Sequence, residues 1–312
     1  MREAGPAIPV DAFTIGGSIV IGTDDGQWLE LGAGNRLEEL PATGPTSAAV
    51  DCGDGTVLVA GWEPVLRRLR ERRWVTQAIG APAIALAVTA RGLVIADAGG
   101  ALSLIAGGSG VPVQELAARE PVVALVALGD GVAVLTASGR VEATAWPAGP
   151  AELAPIETQA VGRVHALFAG IRRGRALVAG ARGLGVIDGA RSIAITTGLG
   201  DRVAGAVGFG DDAHALVFGD HGEAWIVDEQ LTRTARVGVA GAVIGAATSP
   251  GRRVLAWTAE GALHAVEPSG ASRRIADGNV VLATPEPDGR GALAVRWSAQ
   301  AGVSITRGHA WS

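Results

Sequence analysis

Cysteine is almost absent from this chain of 312 residues, which contains Cys52 alone. A single thiol forms neither a disulfide framework nor a paired-cysteine metal site within the chain. Tyrosine and lysine are missing altogether, aromatic residues make up only 4%, and all 26 cationic residues are arginine. We interpret these biases as composition rather than as a site, and we expect a core built from Ala, Val, Leu and Ile.

Long hydrophobic runs are missing as well. No stretch reaches the roughly 18 uninterrupted apolar residues of a membrane-spanning helix, and the N-terminal MREAGPAIPVDAF has no continuous apolar segment. Acidic residues outnumber basic ones, and the formal net charge is −5. The chain therefore lacks the overall positive field that non-specific binding to nucleic acid or anionic lipid requires. We expect a cytoplasmic protein with no nucleic-acid partner and no membrane partner.

Glycine is abundant, at 47 residues, and part of it lies in a repeat. Residues 215–228, ALVFGDHGEAWIVD, predict a β-hairpin: an apolar run, a turn containing a glycine, and an alternating strand. Weaker copies of this pattern occur at 19–31, 93–105, 132–144, 176–188 and 254–266. The turn glycines of the six copies are Gly26, Gly100, Gly139, Gly183, Gly222 and Gly261. Their spacing, about 40 residues or twice that, indicates an array of small sheets.

A short run of small apolar residues precedes each unit, and a more polar strand follows each hairpin, which gives about four strands per unit. The eight leading runs are Val10–Ile15, Ser47–Cys52, Ala83–Thr89, Val122–Leu128, Val164–Ala169, Val203–Phe209, Val243–Thr248 and Val280–Thr284. Four-stranded units of this length predict an all-β fold, a single β-propeller over residues 1–312. Eight blades are favoured, and seven is the alternative if the terminal unit fuses with the first.

The predicted blades follow from the starts of these runs. They are 9–46, 47–82, 83–120, 121–161, 162–201, 202–241, 242–278 and 279–312. The last blade shows three clear strands, so we expect residues 1–8 to supply its outer strand. Pairing the N- and C-terminal segments in this way would close the ring and leave no free sheet edge.

On these hairpins the chain resembles divergent β-propellers of the WD-repeat-like or quinoprotein-like kind. The regular Gly-His and Trp-Asp dipeptides of WD repeats are absent, and residues 225–228 match the Trp-Asp pattern only loosely. The Thr-Gly ahead of Trp that recurs in quinoproteins is absent as well. The Ala- and Gly-rich blades are also similar to the stand-alone propellers of bacterial systems that pair a MoxR-type AAA+ ATPase with a von Willebrand A protein. These resemblances imply a subunit or adaptor of a bacterial multiprotein assembly.

Residues that carry chemistry are scarce in the leading runs, which line the channel of a propeller. The ionisable exceptions are Asp11, Asp51 and His165, in three different blades. A metal site needs several carboxylates or imidazoles at one point, so we predict no metal site and no cofactor. No Gly-x-Ser-x-Gly elbow or phosphate-binding loop is present. The alternative function is a hydrolase or lyase acting on a sugar or lactone at the channel mouth, using these three residues.

The densest charge in the chain is a group of five arginines in blade 2. They are Arg67, Arg68, Arg70, Arg72 and Arg73, followed by Trp74. In an extended run Arg68, Arg70 and Arg72 would share one face. Guanidinium groups beside aromatic rings are typical of interfaces and bind carboxylates in pairs of hydrogen bonds. We predict a non-catalytic protein–protein interaction scaffold whose partner presents an acidic surface here; the alternative is a sheet edge charged against self-association.

Overall fold

The computed structural model describes residues 7–15, 18–32, 36–106, 112–144, 152–172, 174–188, 191–193, 203–286, 288 and 290–308. These residues form 31 β-strands, numbered β1 to β31 in chain order, and contain no helix, so none of them forms a helix able to span a membrane. Every strand is antiparallel to its neighbours in a sheet. The predicted all-β class is confirmed.

The strands form eight sheets, which are the blades of the propeller. The innermost strands are β1 (Pro9–Ile15), β5 (Thr46–Asp51), β9 (Ala83–Thr89), β13 (Val122–Leu128), β17 (Val164–Ala169), β21 (Val203–Gly208), β25 (Val243–Ser249) and β29 (Val280–Pro285). The second strands are β2 (Ser18–Thr23), β6 (Val57–Gly61), β10 (Gly92–Asp97), β14 (Gly131–Thr136), β18 (Arg175–Gly180), β22 (His214–Gly219), β26 (Arg253–Thr258) and β30 (Ala292–Ser298).

The outer pair of strands is shorter than the inner pair in every four-stranded blade except blade 2. The third strands are β3 (Trp28–Leu31), β7 (Val65–Arg70), β11 (Ala101–Ile105), β15 (Val141–Thr144), β19 (Gly183–Asp188), β23 (Ala224–Asp228), β27 (Leu263–Val266) and β31 (Gly302–Arg307). The outermost strands are β4 (Leu37–Leu40), β8 (Arg73–Ala78), β12 (Pro112–Ala117), β16 (Ala154–Ile156), β20 (Arg191–Ile193), β24 (Arg233–Arg236) and β28 (Ser272–Ala276). Blade 8 has three strands among the described residues.

The innermost strands contact one another around a closed ring, from β1 through β29 and back to β1. The predicted propeller of eight blades is therefore confirmed, and the count of seven is wrong. Each predicted leading run coincides with an innermost strand to within one residue at either end.

The hydrophobic core is divided among the seams between adjacent blades. Second strands are buried on both faces, so their alternate side chains enter two different seams. In β6, Leu58 packs against blade 3, whereas Val57 and Val59 pack against blade 1. This explains why second strands read as continuous apolar runs rather than as alternating ones.

The repeated turn glycines fill two roles at once. Gly26, Gly100, Gly139, Gly222 and Gly261 all have positive φ, and the N–H of each donates to the carbonyl three residues earlier. Each also lies against the chain entering the next blade; a Cβ on Gly222 would lie 2.2 Å from that of Ala242. Five of the six predicted glycines lie in the turn between a second and a third strand, whereas Gly183 is the first residue of the third strand β19, so the prediction is wrong for Gly183.

The ring closes through contacts between blades 1 and 8. Thr14 Oγ1 donates to the carbonyl of Pro285 at 3.0 Å, and the apolar side chains of the two blades form one cluster. Of the predicted closing segment 1–8, only Ala7 and Ile8 are described, and Trp297 Nε1 donates to the carbonyl of Ala7 at 3.0 Å. Residues 1–6 lie outside the described residues, so an outer strand formed by 1–8 stays a prediction.

Candidate functional site

The arginine group of blade 2 forms a hairpin. β7 and β8 are joined by Glu71 and Arg72, whose φ values of +49° and +65° are those of a two-residue turn that matches strand twist. Arg72 lies in the turn, so it does not share a face with Arg68 and Arg70 as it would in an extended run. Directly opposed residues share a sheet face, so the pairs Arg68–Val75 and Arg70–Arg73 lie on one face of the hairpin.

The other face of this hairpin packs against blade 1. Leu69 belongs to the seam between blades 1 and 2, and Trp74 meets the ring of buried Trp28 edge-on, with centroids 5.4 Å apart. Trp74 Nε1 donates to the carbonyl of Pro41 at 2.7 Å. The position of Trp74 is thus explained by the contact between two blades.

Two of the five arginines are neutralised within the chain. Arg67 pairs with Glu63. Arg72 pairs across the seam with two carboxylates of blade 1, lying 2.9 Å from Glu30 and also contacting Glu38. Glu38, and secondarily Glu30, raise the pKa of Arg72. The Glu30 side chain is only 13% exposed, so Arg72 compensates a carboxylate that is largely removed from water.

The other three arginines are only loosely paired. Arg68 is 4.0 Å from Asp54, and Arg70 is 3.9 Å from Glu71, so neither guanidinium is within hydrogen-bonding distance of its carboxylate. Arg73 is exposed and makes no ion pair with any described residue. These three guanidinium groups remain available to an external anion.

A second candidate surface lies on what we name the entry face, where each innermost strand begins and each second strand turns into the third. In every blade the second residue of the innermost strand is bulged out of register. These bulged residues are Val10, Ser47, Ile84, Val123, His165, Ala204, Ile244 and Val281. They form a ring around the channel mouth, and most are aliphatic.

The entry face collects most of the large apolar side chains that are exposed. Ile8, Val10, Val123 and Ile244 are each more than two-fifths exposed, and Trp62, in the turn between β6 and β7, is 77% exposed. Of the exposed large apolar residues in the described ranges, only Val75 lies elsewhere. The sequence signal for Trp62 was the loss of the turn glycine in blade 2, and the bulges had no recognisable sequence signal.

Two polar bulge residues join neighbouring blades. Ser47 Oγ donates to the carbonyl of Ala83 at 2.5 Å, and His165 Nε2 lies 3.0 Å from the carbonyl of Val203. Both carbonyls belong to the first residue of the next innermost strand. His165 is therefore oriented by an inter-blade contact, and a cavity of about 570 Å³ beside it is lined by Val123 and Arg163.

The three predicted channel residues are not brought together. Asp11 and His165 lie near the entry face, whereas Asp51 ends its strand at the opposite face, where its carboxylate accepts from the N–H of Gly53. Burial raises the pKa of Asp11. Within the described ranges, no three His, Cys, Asp or Glu side chains come close enough to hold a metal ion.

No protein-family model matches this sequence, and no curated protein sequence matches it. Solved structures do resemble it in fold. The computationally designed Ika8 protein has a TM-score of 0.74 at 13% identity, covering 97% of this chain and 99% of that chain. The C-terminal WD40 domain of Sif2 has a TM-score of 0.69 at 13% identity, covering 98% and 95%.

BamB from Moraxella catarrhalis is similar as well, with a TM-score of 0.61 at 13% identity over 97% of this chain and 98% of that chain. Likeness at this identity establishes the β-propeller fold. It leaves function to be argued from the surfaces of this chain.

Proposed function

We propose that this protein is a non-catalytic scaffold for protein–protein contacts and that its entry face is a docking surface. The observation that carries the proposal is the collection of exposed Ile8, Val10, Trp62, Val123 and Ile244 on one face. Exposed apolar side chains collected on one face are typical of interaction sites, and tryptophan is enriched among the residues that dominate binding energy.

The assembly that we infer is a bacterial, cytoplasmic one. Its basis is the resemblance of the Ala- and Gly-rich blades to propellers that accompany an AAA+ ATPase and a von Willebrand A protein. An acidic surface on the partner would complement the loosely paired arginines of blade 2. Hydrolase or lyase chemistry has less support, because Asp51 lies at the far end of the channel from Asp11 and His165.

The test is retention of partners from a lysate of the native host, followed by mass spectrometry. We expect the chain with Trp62→Ala and Ile244→Asp to lose partners that the unmodified chain retains. The matched control is Ala90→Asp, because Ala90 is exposed in a turn on the opposite face. Equal retention by all three proteins would refute docking at the entry face. An AAA+ ATPase among the retained proteins would support the specific assembly.

A further inference from the structure

Two cavities lie side by side in the seam between blades 2 and 3. The larger, of about 680 Å³, has mainly apolar walls that include Ile79, Ile95 and Leu116. The smaller, of about 330 Å³, is lined by Arg68 and Val75 among others. Ile105 lines both cavities, so they adjoin. Together they form a groove, which we name the blade 2–3 groove.

One end of this groove has an excess of positive charge. Arg68 lines it directly together with Asp54, 4.0 Å away, and Arg70 and Arg73 lie opposite each other at the end of the same hairpin face. These are the three arginines whose carboxylate partners are distant or absent among the described residues. Val75, which opposes Arg68, is 58% exposed. A guanidinium group with free donors beside exposed apolar surface suits a carboxylate next to an apolar side chain.

The other end of the groove is apolar with an acidic margin. Asp97 and Glu115 line the larger cavity. The Asp97 carboxylate already accepts the N–H groups of Gly99 and Ala101, whereas Glu115 is exposed. A uniformly acidic occupant would be repelled at this margin. Charge complementarity therefore selects an occupant whose acidic residues lie at one end only.

The length of the groove limits the size of the occupant. The part beside the arginines follows β8, which has six residues, and the larger cavity begins where β8 ends, at Ala78 and Ile79. An extended chain rises about 3.3 Å per residue, so about six residues reach from Arg73 to the larger cavity. Its apolar side chains would enter the larger cavity at intervals of two residues, because alternate side chains of an extended chain point the same way.

We propose that the blade 2–3 groove binds an extended peptide segment of a partner protein, with carboxylates beside Arg68, Arg70 and Arg73 and aliphatic side chains in the cavity beside Ile79 and Leu116. This inference deepens the proposed scaffold function and rests on it. In this proposal three of the five arginines of blade 2 bind the peptide, whereas Arg67 and Arg72 form ion pairs within the chain.

The binding test uses fluorescein-labelled synthetic peptides and fluorescence anisotropy with the full chain. One peptide carries Asp and Glu at its N-terminal end followed by Leu and Val, and a second has the same residues in reverse order. In two controls, Lys replaces the acidic residues or Ser replaces the aliphatic ones. We expect one of the two acidic-aliphatic peptides to bind at least about tenfold more tightly than either control, because charge-assisted hydrogen bonds and apolar burial both contribute.

Variants of the chain test whether the peptide binds in this groove. Joint replacement of Arg68, Arg70 and Arg73 by Gln should weaken binding of the preferred peptide at least about tenfold. Ala101→Phe, which fills the larger cavity, should weaken it to a similar degree. The matched control replaces Arg252, Arg273 and Arg290, which are exposed on blades 7 and 8, by Gln and should bind as the unmodified chain does. Melting curves confirm that each variant folds. If the triple variant does not fold, the single variant Arg73→Gln replaces it in the binding measurement.

The outcome also separates this inference from the proposed function. The Trp62→Ala, Ile244→Asp protein should still bind the preferred peptide, because neither Trp62 nor Ile244 lines the groove, although the larger cavity reaches the entry face at Asp97 and Ala101. Equal binding of all four peptides, or unchanged binding by both groove variants, would overturn the groove while leaving docking at the entry face intact. Loss of host partners only on changing the groove would overturn the entry face instead.

Discussion

At the scale of single residues, His264 is a buried side chain at odds with its surroundings. It lies in β27 at 4% exposure, and neither ring nitrogen has a hydrogen-bond partner among the described residues. Burial, and secondarily the nearby guanidinium of Arg274, lower the pKa of His264. The folded protein therefore holds this imidazole neutral at a pH where the unfolded chain would protonate it.

The pH dependence of stability follows from this difference. Above the ordinary histidine pKa of about 6.5 the imidazole is neutral in both the folded and the unfolded chain, so its protonation does not change the free energy of unfolding. As the pH falls below that value, only the unfolded state gains the proton at first, so the free energy of unfolding decreases. We expect His264→Leu to reduce the fall in melting temperature between about pH 7.5 and about pH 5.5.

The same substitution removes unsatisfied polar atoms, so it should also raise the free energy of unfolding at neutral pH by about 1–3 kcal/mol. The matched control is His221→Leu, because His221 is exposed in the turn of blade 6. Its melting curves should keep the pH dependence of the unmodified chain. A His264→Leu protein with unaltered pH dependence would show that the buried imidazole is not the group that titrates.

Charge reversal of the neighbouring residues Arg72 and Arg73 should have different effects on stability. Arg72 faces Glu30 and Glu38 across the seam, whereas Arg73 contacts no carboxylate of the described chain. Arg72→Glu would place three carboxylates together, one of them largely buried, so we expect a clear fall in melting temperature. Arg73→Glu should change stability by less than about 0.5 kcal/mol. Thermal unfolding of the two variants side by side is the measurement, and equal curves would contradict the assignment.

At the scale of elements, the turn glycine joins a hairpin to the next blade. Gly222 has φ +77°, and its carbonyl accepts from the N–H of Val243 at the start of β25. An alanine there would be strained in the left-handed region, and its Cβ would collide with Ala242. The expected loss for Gly222→Ala is at least about 1–3 kcal/mol in the free energy of unfolding.

Gly238 offers a control within the same blade. Its added Cβ would meet nothing within 4 Å, and it does not adopt positive φ. Gly238→Ala should therefore leave denaturant unfolding unchanged or slightly improved. If the two alanine variants unfold at the same denaturant concentration, the repeated glycine is not required by the seam.

At the scale of the whole molecule, contacts near the N-terminus join blades 1 and 8 in addition to the contacts between β1 and β29. Ala7 accepts from Trp297 of blade 8, and Ile8 exchanges two hydrogen bonds with Asp24 of blade 1. Deleting residues 1–8 removes these contacts, so we expect a lower melting temperature and greater aggregation on heating. Trp297→Phe keeps the ring but loses its N–H donor, and it should show a smaller loss. An unchanged melting curve for the deletion would mean that the ring closes without this segment.

The architecture could be predicted from the sequence because its causes are local. A positive-φ glycine such as Gly222 and the apolar run before it are set by neighbours in the chain, and they repeat. The partition of the five arginines was not predictable, because it depends on Glu30 and Glu38, which belong to another blade. The exposure of Val123 and Ile244 was not predictable either, since a bulge changes which way a strand residue points.

The division of the core among seams has a consequence for unfolding. In an open array of repeats the terminal repeats have one neighbour each and fray first. Here blade 1 and blade 8 contact each other, through a cluster that includes Ile21 and Val295, so every blade has two neighbours. Unfolding any one blade therefore removes its contacts with both neighbouring blades at once. A cyclic array of this kind has no weakest end, and its cooperativity comes from the absence of ends rather than from a central core.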